Sequence, residues 1–140
     1  MNEDIVEVDK GISLIKIGVH TRHHQCVKIE SEGHVAFFLG DLVPTVAHLH
    51  YPYISGYDLF PLETLENKKK VLRQAFEEHW LLIFQHDPKV RMGYLKKING
   101  RFEVEEVKNF KCNARLVLGF THVQPNLPIW GRIPISANLK

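Results

Sequence analysis

Apolar and polar positions interleave in short runs along the first part of the chain. In GISLIKIGV, residues 11–19, Ile12, Leu14, Ile15 and Ile17 alternate with small or polar residues, which predicts a half-buried strand. QCVKIES (25–31) predicts a second strand, and EGH (32–34) a turn. VAFFLGD (35–41) is a continuous apolar run, the pattern of a buried strand. It ends in Gly40-Asp41, so the aspartate is expected at the strand's C-terminal edge. Residues 42–62 hold Pro44, Pro52 and Pro61 and the aromatic group Tyr51, Tyr53, Tyr57 and Phe60. They read as a long connection with little regular structure, a kind of loop that often carries function.

From residue 62 the period changes. In LETLENKKKVLRQAFEEHW (62–80), Leu65, Leu72, Ala75 and Phe76 fall on one helical face with Val71 beside it. The charges fill the other side, and Lys68 to Lys70 are expected as a solvated face. Pro61 suits the first turn, and Glu63 and Glu66 suit the positive end of the helix dipole. LLIFQ (81–85) predicts a strand, followed by His86-Asp87-Pro88. YLKKI and RFEVEEV then flank Asn99-Gly100, the favoured two-residue hairpin turn. Strands around one long helix give an α/β fold class. No internal repeat or low-complexity segment interrupts it. Residues 108–140 differ in character: a strand-like run, RLVLGF (115–120), gives way to a proline-rich end. A domain over 1–107 with an extension over 108–140 is the expected organisation.

Composition narrows the class. A chain of 140 residues with 44% hydrophobic and 24% charged residues suits one globular domain. No apolar run approaches the roughly 18 residues that cross a bilayer. The N-terminal MNEDIVEVDKG is acidic and unlike a secretory signal. Cys26 and Cys112 are the only cysteines, which favours a cytoplasmic, reducing setting. Net charge is +2, but thirteen basic against sixteen acidic residues precede Lys108, and five basic against no acidic residues follow from there. Those five are scattered among apolar residues and three prolines, so no nucleic-acid partner is expected, and no membrane.

Histidine is the unusual residue: nine are present, six of them between positions 20 and 50. GVHTRHHQ alone carries His20, His23 and His24. His24, Asp41 and His86 each adjoin a predicted strand. Two imidazoles and a carboxylate suit Zn²⁺ or a similar divalent ion, and a carboxylate, having two oxygens, can bridge two. Spacing alone leaves scattered structural histidines as the other reading.

Taken in order, GVHTRHHQCVKIES, VAFFLGDLVPTVAHL, YDLFPLETLENKKKVLRQAFEEHWLLIFQHDP and the hairpin resemble the C-terminal half of the metallo-β-lactamase fold hydrolases, and within them the lactonase-like and organophosphate-hydrolase-like subgroup. The resemblance covers residues 11–107. It implies half of an αββα sandwich, a mixed sheet with a long helix and a hairpin. It matches His24 to a ligand of the first metal, Asp41 to the aspartate that bridges both, and His86 to a ligand of the second. His20 and Thr21 match the G-x-H-T-x-G-H motif, while Arg22 replaces a frequent proline and His23 the usual glycine. His20, His23, His48 and Tyr57 are the expected residues at the edge of the site; the subgroup also carries a histidine at the position of His48, and Tyr57-Asp58 matches a "YD" in its loop.

One motif is missing. The family's H-x-H-x-D-H, which supplies two ligands to each metal, occurs nowhere in this chain, and only 23 residues precede His24. Two protein ligands per metal fall short of the three usual in catalytic zinc sites. The resemblance therefore implies a metal-dependent hydrolase of esters, lactones or phosphoesters, with Asp41 helping to activate a metal-bound water. Its site is incomplete unless a second polypeptide supplies the other half. A homodimer, or a catalytically inactive interaction or structural protein, is the alternative. The expected cofactor is a divalent metal, Zn, and the ligand a small molecule. The remaining features default to structure: His34 in a solvated turn, His79 at the helix end, Cys26 in the core. Residues 108–140, with Leu116, Leu118, Phe120, Trp130 and Ile133, read as a covering arm or as a remnant without a role.

Overall fold

A computed structural model describes residues 5–108. The extension, apart from Lys108, and the strand-like run at 115–120 lie outside the described residues.

The alternating pattern becomes one seven-stranded sheet whose spatial order follows the sequence. Its strands are β1 (Ile5–Asp9), β2 (Ile12–Lys16), β3 (Gln25–Ser31), β4 (His34–Phe38), β5 (Leu81–Ile83), β6 (Met92–Ile98) and β7 (Arg101–Glu106). All neighbouring pairs are antiparallel except β4 and β5, which run parallel. A parallel pair needs a crossover, and here it is α1 (Pro61–Glu77) with the loop before it. The sheet is therefore mixed, with one helix, as the resemblance implied. The predicted turns are present: Glu32-Gly33 and Asn99-Gly100 both take positive φ, as a two-residue hairpin turn of this hand requires. The acidic N-terminal segment forms a strand that the sequence reading did not assign; IVEVD alternates, and it pairs with β2.

The helix ends earlier than residue 80. His79 takes φ 56°, and the Trp80 N–H bonds back to the Ala75 carbonyl at 2.8 Å, a Schellman closure with a histidine in the left-handed position. Stacking on the Tyr94 ring, 4.4 Å between centroids and 3° from parallel, holds His79 there. The buried stripe of α1 is Thr64, Lys68, Leu72 and Ala75, while Phe76 lies at its margin, 39% exposed, with its ring 5.5 Å from that of Phe102. This corrects the reading of Lys68 as solvated: its side chain is fully buried. Its ammonium donates to the main-chain carbonyls of Tyr53 at 2.7 Å, His48 at 3.1 Å and His50 at 3.2 Å. All three donors are satisfied, which is why a lysine can replace an apolar residue on the inner face.

The two faces of the sheet differ. One carries Ile15, Cys26, Phe37, Leu82 and Leu95 and packs with Leu72, Ala75 and Trp80 into the core; Trp80 stacks on Phe37 at 5.2 Å. On the other, the strand register lines up Val6, Leu14, Val27, Phe38, Ile83 and Met92 in one row and Ile12, Ile29, Ala36, Leu81 and Tyr94 in the next. Leu81 is buried; the others lie outside the core cluster and keep some solvent exposure. Among the described residues, no helix is long and apolar enough to cross a membrane.

Candidate metal centre

His24 immediately precedes β3, Asp41 lies in a 3₁₀ turn (Gly40–Leu42) just past β4, and His86 follows β5. β3 runs antiparallel to β4, and β4 parallel to β5, so the three residues share one edge of the sheet. Gly40 takes φ +53°, and a Cβ there would sit 2.7 Å from His24 Nε2; glycine lets the chain turn beneath the imidazole.

Within this edge, His86 Nε2 lies 3.0 Å from Asp41 Oδ1. The pair is open: the side chains are 52% and 29% exposed. His24 is held differently. The Asp41 backbone N–H donates to its Nε2 at 2.9 Å, so Nε2 is an acceptor and a neutral ring carries its hydrogen on Nδ1. That Nδ1 is buried without a partner. Burial pushes the His24 pKa below the usual imidazole range, and His20 adds to this, against the pull of Asp41 and Asp58. Cys26, two residues on, is a buried core thiol whose pKa rises with burial and with the nearby Asp41 charge.

The expected edge residues separate. His20 Nδ1 meets Asp58 Oδ1 at 2.9 Å, and the Leu59 N–H donates to the His20 carbonyl at 3.1 Å, so loop 18–24 is fastened to loop 55–59. His48 bonds through Nδ1 to the Thr45 hydroxyl at 2.8 Å; burial and the Lys68 charge lower its pKa, against Asp58. His23 is exposed and does not take positive φ, so the backbone here has no need of the family's glycine. Tyr57 is 86% exposed and stands out from the loop. Two acids carry more structure than the sequence suggested. The Asp58 side chain is fully buried, with Oδ2 unpartnered, and Asp87 accepts three backbone N–H groups. Asp58 partners a residue 38 positions away and Asp87 one 41 positions away, separations that local pattern does not encode.

Tested against a divalent ion, the donor types of Asp41 and His86 and their contact fit one edge of a centre, whereas both His24 nitrogens are committed, Nε2 to the Asp41 N–H and Nδ1 to its own hydrogen. Among the described residues, no group of three His, Cys, Asp or Glu is placed to hold a metal ion, so His24, Asp41 and His86 do not form a ligand set by themselves.

No protein-family model matches the chain, and no curated protein matches it. Solved structures do. A probable metal-dependent hydrolase from Staphylococcus aureus matches with TM-score 0.65 at 24% identity, over 74% of this chain and 38% of that one. AidC, a dizinc quorum-quenching lactonase, matches with TM-score 0.65 at 18% identity, over 74% and 36%. AbOPH, a hydrolase of the β-lactamase superfamily, matches with TM-score 0.61 at 20% identity, over 74% and 37%. The chain thus spans little more than a third of the length of these structures. At such identities the likeness concerns the fold: a mixed seven-stranded α/β sheet that matches part of the metal-dependent hydrolases of the β-lactamase superfamily.

Proposed function

We propose that this chain carries one edge of the divalent-metal centre of a hydrolase acting on esters, lactones or phosphoesters, with Asp41 and His86 as its exposed donors and His24 beside them. The observation that carries this reading is the meeting of Asp41 and His86 at the edge shared by β3, β4 and β5. A bound divalent ion would lower the pKa of a water and polarise the substrate oxygen. For their part, Asp41 offers two carboxylate oxygens, and His86 would exchange the contact of its Nε2 with Oδ1 for the ion. The remaining donors come, in this reading, from polypeptide that packs on the apolar sheet face, supplied by a second polypeptide or a second copy. The Staphylococcus aureus protein and AidC, metal-dependent by their descriptions, support the assignment by fold.

One observation favours the alternative, a catalytically inactive interaction protein: His24 Nε2 already accepts the Asp41 N–H. Calorimetric titration of the purified chain with Zn²⁺ separates the two. The hydrolase reading expects weak binding that Asp41→Asn and His86→Ala each reduce at least tenfold, with little turnover of a chromogenic ester or lactone by the chain alone. Zn²⁺ binding that both variants leave unchanged, or none at all, overturns it.

A further inference from the structure

The sequence places Asp87 directly after His86 and before Pro88. Proline lacks an N–H, so the first donors available to the Asp87 carboxylate are those of Lys89 and Val90, and Oδ1 accepts both, at 2.9 and 2.8 Å. This is a local turn of the kind aspartate forms with the residues that follow it. The other oxygen does something a local turn does not require. Oδ2 reaches across to the N–H of Val46 at 2.9 Å, the first residue of a second 3₁₀ turn (Val46–Leu49). The His86 N–H bonds in parallel to the Pro44 carbonyl at 3.0 Å. Two cross-links therefore join the segment leaving Asp41 to the segment carrying His86. The same 3₁₀ turn is gripped at its far end by Lys68, through the carbonyls of His48 and His50. Its orphan N–H and C=O groups are thus met by an anion at the start and a cation at the end, the arrangement its dipole favours.

We infer that Asp87 is a positioning residue: its carboxylate ties segment 44–46 to segment 86–90 and so sets the approach of His86 to Asp41. The inference rests on the reading of Asp41 and His86 as a functional pair, but the tie itself is a property of the chain alone. Asp87→Asn divides the two jobs of the carboxylate. An amide keeps one oxygen, able to accept from Lys89 and Val90, and presents an NH₂ to the Val46 N–H, donor against donor.

The test is amide hydrogen exchange on the full chain, with Zn²⁺ titration alongside. In Asp87→Asn, Val46 and His86 are expected to lose at least tenfold in protection, while Lys89, Val90 and the strand residues Cys26 and Phe37 keep theirs. In Asp87→Ala, Lys89 and Val90 lose protection as well. Protection of Val46 and His86 that survives Asp87→Asn overturns the tie, whatever the metal result. If the tie is present, Zn²⁺ affinity in Asp87→Asn is expected to fall at least fivefold. An unchanged affinity with the tie broken overturns the positioning role. A chain that binds no Zn²⁺ at all defeats the hydrolase reading, and the positioning role with it, while the exchange data still decide the tie.

Discussion

At Gly40 a single missing side chain decides how the site edge is built. Its φ of +53° is open to glycine and disfavoured for other L-residues by about 1–2 kcal/mol. The space is also taken, because a Cβ would lie 2.7 Å from His24 Nε2. Either the imidazole or the turn must then move, and the Asp41 N–H bond to Nε2 depends on both. Gly40→Ala is therefore expected to lower unfolding free energy by about 2–3 kcal/mol, the conformational cost plus one lost part-buried hydrogen bond. Urea unfolding measures it, and the His24 side-chain ¹⁵N signals should shift. A variant as stable as the parent, with His24 unmoved, would show that the glycine is incidental. The flanking residues were readable as Gly-Asp at a strand end; the contact beneath His24 was not, because it joins positions far apart in the chain.

Element by element, legibility follows the range of the interactions. Strands 25–31 and 35–38 and the Asn99-Gly100 hairpin were readable because alternation and turn chemistry are local. The first strand was missed because its alternation is short and lies in an acidic segment, with all five residues exposed. In α1, Leu72 and Ala75 were read correctly as inward. Lys68 was not, because its burial depends on carbonyls from loop 48–53, which no helical period reveals. Lys68 yields a prediction with a definite sign. Burial pushes its pKa down from the usual 10.5 to about 8, with Asp58 pulling the other way. Between those values the unfolded chain holds a proton that the folded chain has released. The unfolded state then binds more protons, and stability must rise with pH across that window. Below about 8 both states are protonated, and this contribution no longer varies. Lys68→Met removes the group, so the difference between parent and variant isolates it from other titrations. Unfolding free energies at pH 7, 8, 9 and 10 should show the parent gaining on Lys68→Met above pH 8. A difference that stays flat, or runs the other way, would mean that the carbonyl cage holds the proton as firmly as water does.

For the whole molecule, the question is the second face of the sheet. The core face closes under α1 and Trp80, and a large side chain there is expensive to lose: Phe37→Ala should cost about 3–5 kcal/mol. The opposite face is as apolar along its rows, but apart from the buried Leu81 its residues lie outside the core cluster. A contiguous apolar face left part-exposed in this way is a candidate docking surface. Val27 and Ile83 lie on one row with Phe38 between them, both part-exposed. If this face has no cover within the chain, replacing both by lysine should change unfolding free energy by less than about 1 kcal/mol, since long side chains can carry their charges to water. The same variant should abolish any association through the face, so light scattering of parent and variant reports whether a second copy covers it. A parent that self-associates where Val27→Lys/Ile83→Lys is monomeric makes the copy the second layer. Two equally stable monomers rule out a second copy as its cover. A loss comparable to that of Phe37→Ala in a monomeric parent would make the face part of the chain's own interior, and the need for an outside layer would then disappear.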